Sequence, residues 1–146
     1  MLTLSQREKR WGGEYLGKSN ATIGRYGCTV TSISMAMDFF KQWRNPQELA
    51  RELTFTKDGL LVWSSLPKAT CFKLEARFYG QKDNIIQEAL RHPRKVVLIQ
   101  VENYHWVLGT GRSLFGGYNI ADPWFGDRST TRRYKSITGG AVLVLK

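Results

Sequence analysis

The apolar positions of this chain change period part-way along, and that change restricts the fold more than any other feature. From Cys28 to about Lys41, Val30, Ile33, Met37 and Phe40 recur at spacings of three and four, as in a helix with one buried face. Asn45-Pro46 supplies a cap and a first-turn proline for a short helix over 46–53. A third short helix is predicted within GLLVWSSLPKAT, ending near Pro67. The second half then turns to strands. KLEARFY (73–79) alternates, and VVLIQV (96–101), HWVLGT (105–110), GYNIAD (117–122) and AVLVL (141–145) are β-branched, apolar runs parted by glycine-containing turns. Asp83 is placed to cap one intervening helix, through Ile85, Ile86 and Leu90, that stops before Pro93. Helices first and an antiparallel sheet afterwards is an α+β arrangement. Residues 1–27, rich in glycine and polar side chains, read as an irregular lead-in.

At 146 residues the chain reads as a single domain, 1–146. A domain of this size buries roughly 70% of the surface its unfolded chain exposes, enough for a core without staples. The 22 Lys and Arg against 12 Asp and Glu give a net charge of +10, which favours polyanionic partners or serves as a solubilising surface. The basic residues are scattered and do not cluster with aromatics on one element, which argues against a specific nucleic-acid interface. The N-terminus has no apolar secretory stretch, and no run approaches the ~20 apolar residues of a membrane span. The expectation is a cytoplasmic product as synthesised, with action at a bacterial cell wall after release by another route. The oligomeric state is not legible.

Two cysteines, Cys28 and Cys71, are too few for a disulfide framework. A bridge between them would lock the thiol away; one reactive thiol beside one buried structural thiol is the simpler reading. Cys28 stands where a helix should begin, and a helix N-terminus favours a thiolate through its unpaired N–H groups and dipole. Gly27 before it leaves the backbone uncrowded for a substrate carbonyl. The competing reading is a small hydrophobe on a core helix. A cysteine nucleophile calls for an imidazole to take its proton and later protonate the leaving amine. His92 precedes Pro93 at a helix end and faces solvent on this reading; His105 opens a strand and can project from a sheet rim.

The third member follows from register. If 104–110 and 117–122 form a hairpin in which opposed residue numbers sum to 227, Val107 faces Ile120, Gly109 faces Tyr118 and His105 faces Asp122. Directly opposed Cβ atoms lie ~5 Å apart, suiting a carboxylate that holds an imidazole N–H. An anionic intermediate also needs donors: the backbone N–H of Cys28 and a side-chain amide. Gln6 on the lead-in is the candidate; Gln42 lies a long helix away and Gln100 lies inside an apolar strand run. Trp124, following Asp-Pro, is placed to wall a groove or to pack; Trp106 alternates with His105 and is assigned to core packing, as are Trp11, Trp43 and Trp63 to core or interface.

The segments SQREKRWGGEYLG, TIGRYGCTVTSISMAM, NYHWVLGTG and YNIADPWFGD resemble the peptidase family related to the bacteriocin-processing, double-glycine peptidases, a branch of the papain-like cysteine peptidases. The resemblance spans roughly residues 4–144, with Gln, Gly-Cys, His-Trp and Asp-Pro in order. It implies a papain-like fold, its N-terminal helical half carrying the Cys helix packed on an antiparallel sheet carrying His and Asp. It also implies Cys28 as nucleophile, His105 as general base and acid, Asp122 as orienting residue and Gln6 as oxyanion-hole donor. One departure stands out: in the bacteriocin-processing members the Gln lies only a few residues before the Cys, whereas here the gap is 22 positions. A subgroup with phage and cell-wall-associated proteins carries such an insertion, with a Trp like Trp11.

The absence of a C-x-x-C pair or a helical His pair argues against zinc, and GRYGCTVTS lacks the lysine of a phosphate-binding loop. The expected activity is therefore peptide-bond hydrolysis through a Cys28 thioester, without metal or organic cofactor. The peptide cross-links of peptidoglycan are the favoured substrate, as for an endolysin. The alternatives are a protease acting on proteins or leader peptides, an inactive module that binds polyanion or cell wall, and a nucleic-acid-binding protein.

Overall fold

A computed structural model describes residues 1–146. Six helices and six strands follow one another as helices first and sheet second: α1 (Lys9–Gly12), α2 (Ile23–Tyr26), α3 (Cys28–Phe39), α4 (Pro46–Glu52), α5 (Leu66–Ala69), β1 (Phe72–Tyr79), α6 (Asp83–Arg91), β2 (Lys95–Val101), β3 (His105–Arg112), β4 (Tyr118–Asp122), β5 (Asp127–Thr130) and β6 (Ile137–Leu145). The strands make one antiparallel sheet in the order β1-β6-β2-β3-β4-β5. The α+β reading stands.

Both faces of the sheet are covered, which explains why β2 is an apolar run instead of an alternation. Leu98, Leu108, Ala121, Ala141 and Leu143 face a core shared with Val30, Ile33 and Met37 of α3, Leu49 of α4 and Leu66 of α5. Val97, Ile99, Val107, Ile120 and Val142 face the other way, against Ile86 and Ala89 of α6. Helix α3 runs along β3 and β2 and is buried nearly all round, Thr31, Ser32 and Ser34 included. Its periodic stripe understates how central it is. No helix is long and apolar enough to cross a membrane.

Local chemistry sets several boundaries. Asn45 Oδ1 accepts the Glu48 N–H at 2.9 Å, with Pro46 in the first turn, as the sequence predicts for α4. Pro67 does the reverse of what was expected. It lies in the first turn of α5, after a 3-10 turn at Trp63–Ser65, where its missing N–H costs nothing. Asp83 does not cap α6: Lys82 holds that position, and the Asp83 carboxylate instead accepts from the Tyr118 hydroxyl and from Gln81 Nε2. The lead-in is not wholly irregular, since it contains α1 and α2. Strand β5 has no apolar signal because it is the sheet's polar edge. Strand β6 begins at Ile137 and takes in Gly139 and Gly140; a Cβ at Gly140 would lie 2.2 Å from the Phe78 ring.

The β3–β4 register differs from the expected one by two residues at the end that carries His105 and Asp122, and by three beyond an irregularity. Leu108 pairs with Ala121 and Gly109 with Ile120; beyond an irregularity, Gly111 pairs with Asn119 and Arg112 with Tyr118. Val107–Ile120, Gly109–Tyr118 and His105–Asp122 are therefore not direct partners. A slip of two preserves the face on which each side chain lies, whereas a slip of one would have reversed it.

Candidate active site

Cys28 is the first residue of α3, so its N–H has no partner four residues back within that helix, and it is 8% exposed. His105 is the first residue of β3, at the sheet rim, and Asp122 the last of β4, fully buried. The topology brings the start of α3 to this rim, and the three side chains meet. His105 Nε2 lies 2.9 Å from Asp122 Oδ1. The Cys28 thiol lies beside the same ring, close enough to raise its pKa, and both residues line one cleft.

Burial by itself would lower the His105 pKa. The hydrogen bond to Asp122 and then the contact with Cys28 outweigh it, and the imidazole is pushed up from 6.5 to about 9. Asp122 is the mirror case. Burial pushes it up, but donors from His105 and Tyr134 and the imidazolium charge hold it below the usual carboxylate range. All of its acceptor capacity is used: Oδ1 takes His105 Nε2 and the Trp124 N–H at 3.0 Å, while Oδ2 takes Arg133 Nη1 at 3.1 Å and the Tyr134 hydroxyl. Arg133 also grips Asp127 through two bonds of 2.9 and 2.8 Å, and these raise its own pKa further.

Arg133 and Tyr134 escaped the sequence reading because the segment between β5 and β6 carries no periodicity. The signal that finds them is the need of a buried carboxylate for donors beyond one histidine.

Gln6 reaches the site across the 22-residue gap. It is 1% exposed and lines the same cleft as Cys28. Its backbone N–H donates to the Pro123 carbonyl at 2.8 Å, and Nε2 donates to the Gly24 carbonyl at 3.3 Å, leaving the second Nε2 hydrogen unused; Oε1 is buried without a partner. Gln42 lines a separate small cavity. Gln100 does line the cleft, but its Nε2 turns to the Asn103 carbonyl at 3.4 Å.

Gly27 is corrected: it is buried and does not line the cleft, and a Cβ there would lie 2.5 Å from the Ile23 carbonyl oxygen. Its task is to let α2 close onto α3. His92 is half-buried rather than solvent-facing, and its Nδ1 accepts the Arg94 N–H at 3.1 Å. Cys71 is a free, buried thiol whose pKa burial pushes up, and Cys28 is also free.

The cleft around Cys28 has a volume of about 940 Å³. Trp124 walls it beside Gln6, with the Arg7 guanidinium 4.6 Å from its ring. Trp63 and Trp106, assigned by sequence to packing, form an edge-to-face pair 5.5 Å apart that is half-buried and also lines the cleft. Arg77 lies over Trp106 at 4.8 Å. No group of three or more His, Cys, Asp or Glu side chains is arranged to hold a metal ion. The arrangement can place an imidazolium beside a sulfur at a helix N-terminus, with amide donors on the same side of an open groove. Compared with protein-family models the chain matches none, and no curated protein is significantly similar to it.

Proposed function

We propose that this chain is a cysteine peptidase of the papain-like kind, acting through Cys28, His105 and Asp122. The observation that carries the reading is the His105–Asp122 hydrogen bond with the Cys28 thiol beside the same ring in a large cleft. Bound peptide presents its carbonyl carbon to Sγ. Attack forms the C–S bond and puts charge on the carbonyl oxygen, which the Cys28 N–H and Gln6 Nε2 receive. Collapse breaks the C–N bond, and the imidazolium gives its proton to the leaving amine. Water then enters, His105 takes one of its protons, and attack on the thioester frees the acid and returns the thiol–imidazole pair. Asp122 stays ionised throughout and fixes the ring.

For substrate we propose the peptide cross-links of bacterial cell wall. The +10 charge supports this by favouring an anionic polymer, and the open groove supports it by admitting a branched chain. The test is clearing of a cell-wall suspension, compared with Cys28→Ala. Clearing by the wild type alone is the expected result. Intact walls together with cleavage of an unfolded polypeptide would replace the substrate and keep the chemistry. An inert Cys28, with salt-sensitive binding to anionic polymer, would replace an enzyme by a binding module.

A further inference from the structure

The hairpin between β3 and β4 ends in Leu114 and Phe115, which are 95% and 82% exposed, the most exposed large apolar side chains in the protein. Other prominent exposed apolar residues, Leu60, Tyr79 and Tyr104, line the cleft and would be covered by whatever binds there; Leu114 and Phe115 do not line it. Their exposure is built into the backbone. The Ser113 N–H donates to the Gly117 carbonyl at 3.2 Å, and Gly116 and Gly117 both take positive φ, of 95° and 70°. Arg132 Nη1 reaches the Gly116 carbonyl at 3.3 Å and sets its guanidinium 5.9 Å from the Phe115 ring.

The charge around the tip is predominantly positive. Arg112 and Arg132 flank it, both exposed, and no acidic residue occurs between Asn103 and Ala121 or after Asp127. Asp83 on α6 is the one carboxylate that faces Arg112; it stays ionised, bonded to the Tyr118 hydroxyl and Gln81, and offsets part of that arginine's charge, while Arg132 has no acidic partner.

We propose that the Leu114–Phe115 tip docks the protein on an anionic lipid surface. Two adjacent apolar side chains on a narrow, held turn can enter the boundary between headgroups and acyl chains, while flanking arginines meet the headgroup charge. His105 and Arg112 are the two ends of β3, seven residues or roughly 23 Å apart at the rise of a strand, so docking by the tip leaves the cleft open.

The test is co-sedimentation of the full chain with vesicles of phosphatidylcholine alone and of phosphatidylcholine with 30 mol% phosphatidylglycerol (about one lipid in three anionic, enough for a negative surface potential). It compares wild type with the double variant Leu114→Ser/Phe115→Ser and with Arg112→Gln/Arg132→Gln. The replaced side chains are exposed, and far-UV circular dichroism checks that the variants fold. Wild type is expected to pellet with the anionic vesicles, with at least ten-fold weaker binding in either double variant and none to the neutral vesicles. Equal binding by wild type and the Ser variant would overturn the proposal in favour of diffuse charge. So would a wild type that ignores vesicles yet sediments as a dimer that the Ser variant lacks, which would assign the tip to a second copy. The readout is independent of catalysis, so failure of the peptidase reading leaves it standing.

Discussion

His105 and Asp122 meet without being direct partners across the β3–β4 hairpin: Gly109 pairs with Ile120, yet Nε2 and Oδ1 are 2.9 Å apart. The contact is diagonal on one face of the sheet, within reach of an imidazole and a carboxylate. It is also what lifts His105 to about 9 against the pull of burial. If His105 supplies the proton to the leaving amine, kcat/KM should hold through neutral pH and fall as pH rises past about 9. Asp122→Asn removes the largest raising influence and should move that limb downward, towards 6.5, with a lower plateau. A limb that stays put in the variant would separate His105 from the profile.

The same shifts fix a stability profile. The folded pKa of His105 lies above its ordinary 6.5, so its contribution is complete below that value and is lost as pH rises through about 9. Asp122 lies below its ordinary 3.8, so its contribution is present above that value and is lost as pH falls through its lower folded pKa. Denaturant midpoints of the wild type should therefore decline between pH 6.5 and 9, and His105→Ala should flatten that decline.

Thiol chemistry offers the most direct check. Iodoacetamide at neutral pH should modify one cysteine per chain, Cys28, which is as buried as Cys71 but opens on the large cleft beside His105, whereas the Cys71 pKa is pushed up by burial. His105→Ala should slow labelling of Cys28 by at least ten-fold, since the imidazolium beside the sulfur is gone. Peptide mapping that finds Cys71 labelled first would reverse the assignment of the two thiols.

Removing the Tyr134 hydroxyl strips one of four donors from a carboxylate that has no access to water. A hydrogen bond to a charged group contributes about 1.5–3 kcal/mol, and Tyr134→Phe should lose stability of that order in urea unfolding. Arg133→Gln acts differently: it removes a cation that competes with His105 for Asp122, so the high-pH limb should move upward. A limb that moves in Arg133→Gln but not in Tyr134→Phe would tell the cation from the neutral donor.

The parts of this arrangement legible in the sequence were those with a local signature. Cys28 opens a periodic helix, His105 opens an apolar strand, and a face-preserving register error of two still joined His105 to Asp122. What escaped had no local cause. Arg133 and Tyr134 answer a demand created elsewhere, by a buried carboxylate. Trp63 and Trp106 come together only through tertiary packing, so their indoles read as core although they wall the cleft. Pro67 and Asp83 are residues with two local uses each, and packing chose the second.

Gln6 is the member whose place depends most on the segment between it and Cys28. Trp11, 1% exposed, donates its Nε1–H to the Ser5 carbonyl at 2.8 Å, next to the Gln6 backbone, which is itself tied to Pro123. The segment around Trp11 thus works as a buried peg that sets the amide. Gln6→Ala should lower kcat by about 10²–10³ with little change in KM, the loss expected for an oxyanion donor. Trp11→Phe keeps an aromatic peg and loses the hydrogen bond, so it should lower kcat in the same sense while also costing stability. Ile86→Ala, in the core on the α6 side of the sheet and outside the cluster that holds Trp11, should cost about 2–5 kcal/mol of stability with kcat unchanged. A drop in kcat that tracks stability equally in Trp11→Phe and Ile86→Ala would show that the peg holds the fold and not the donor.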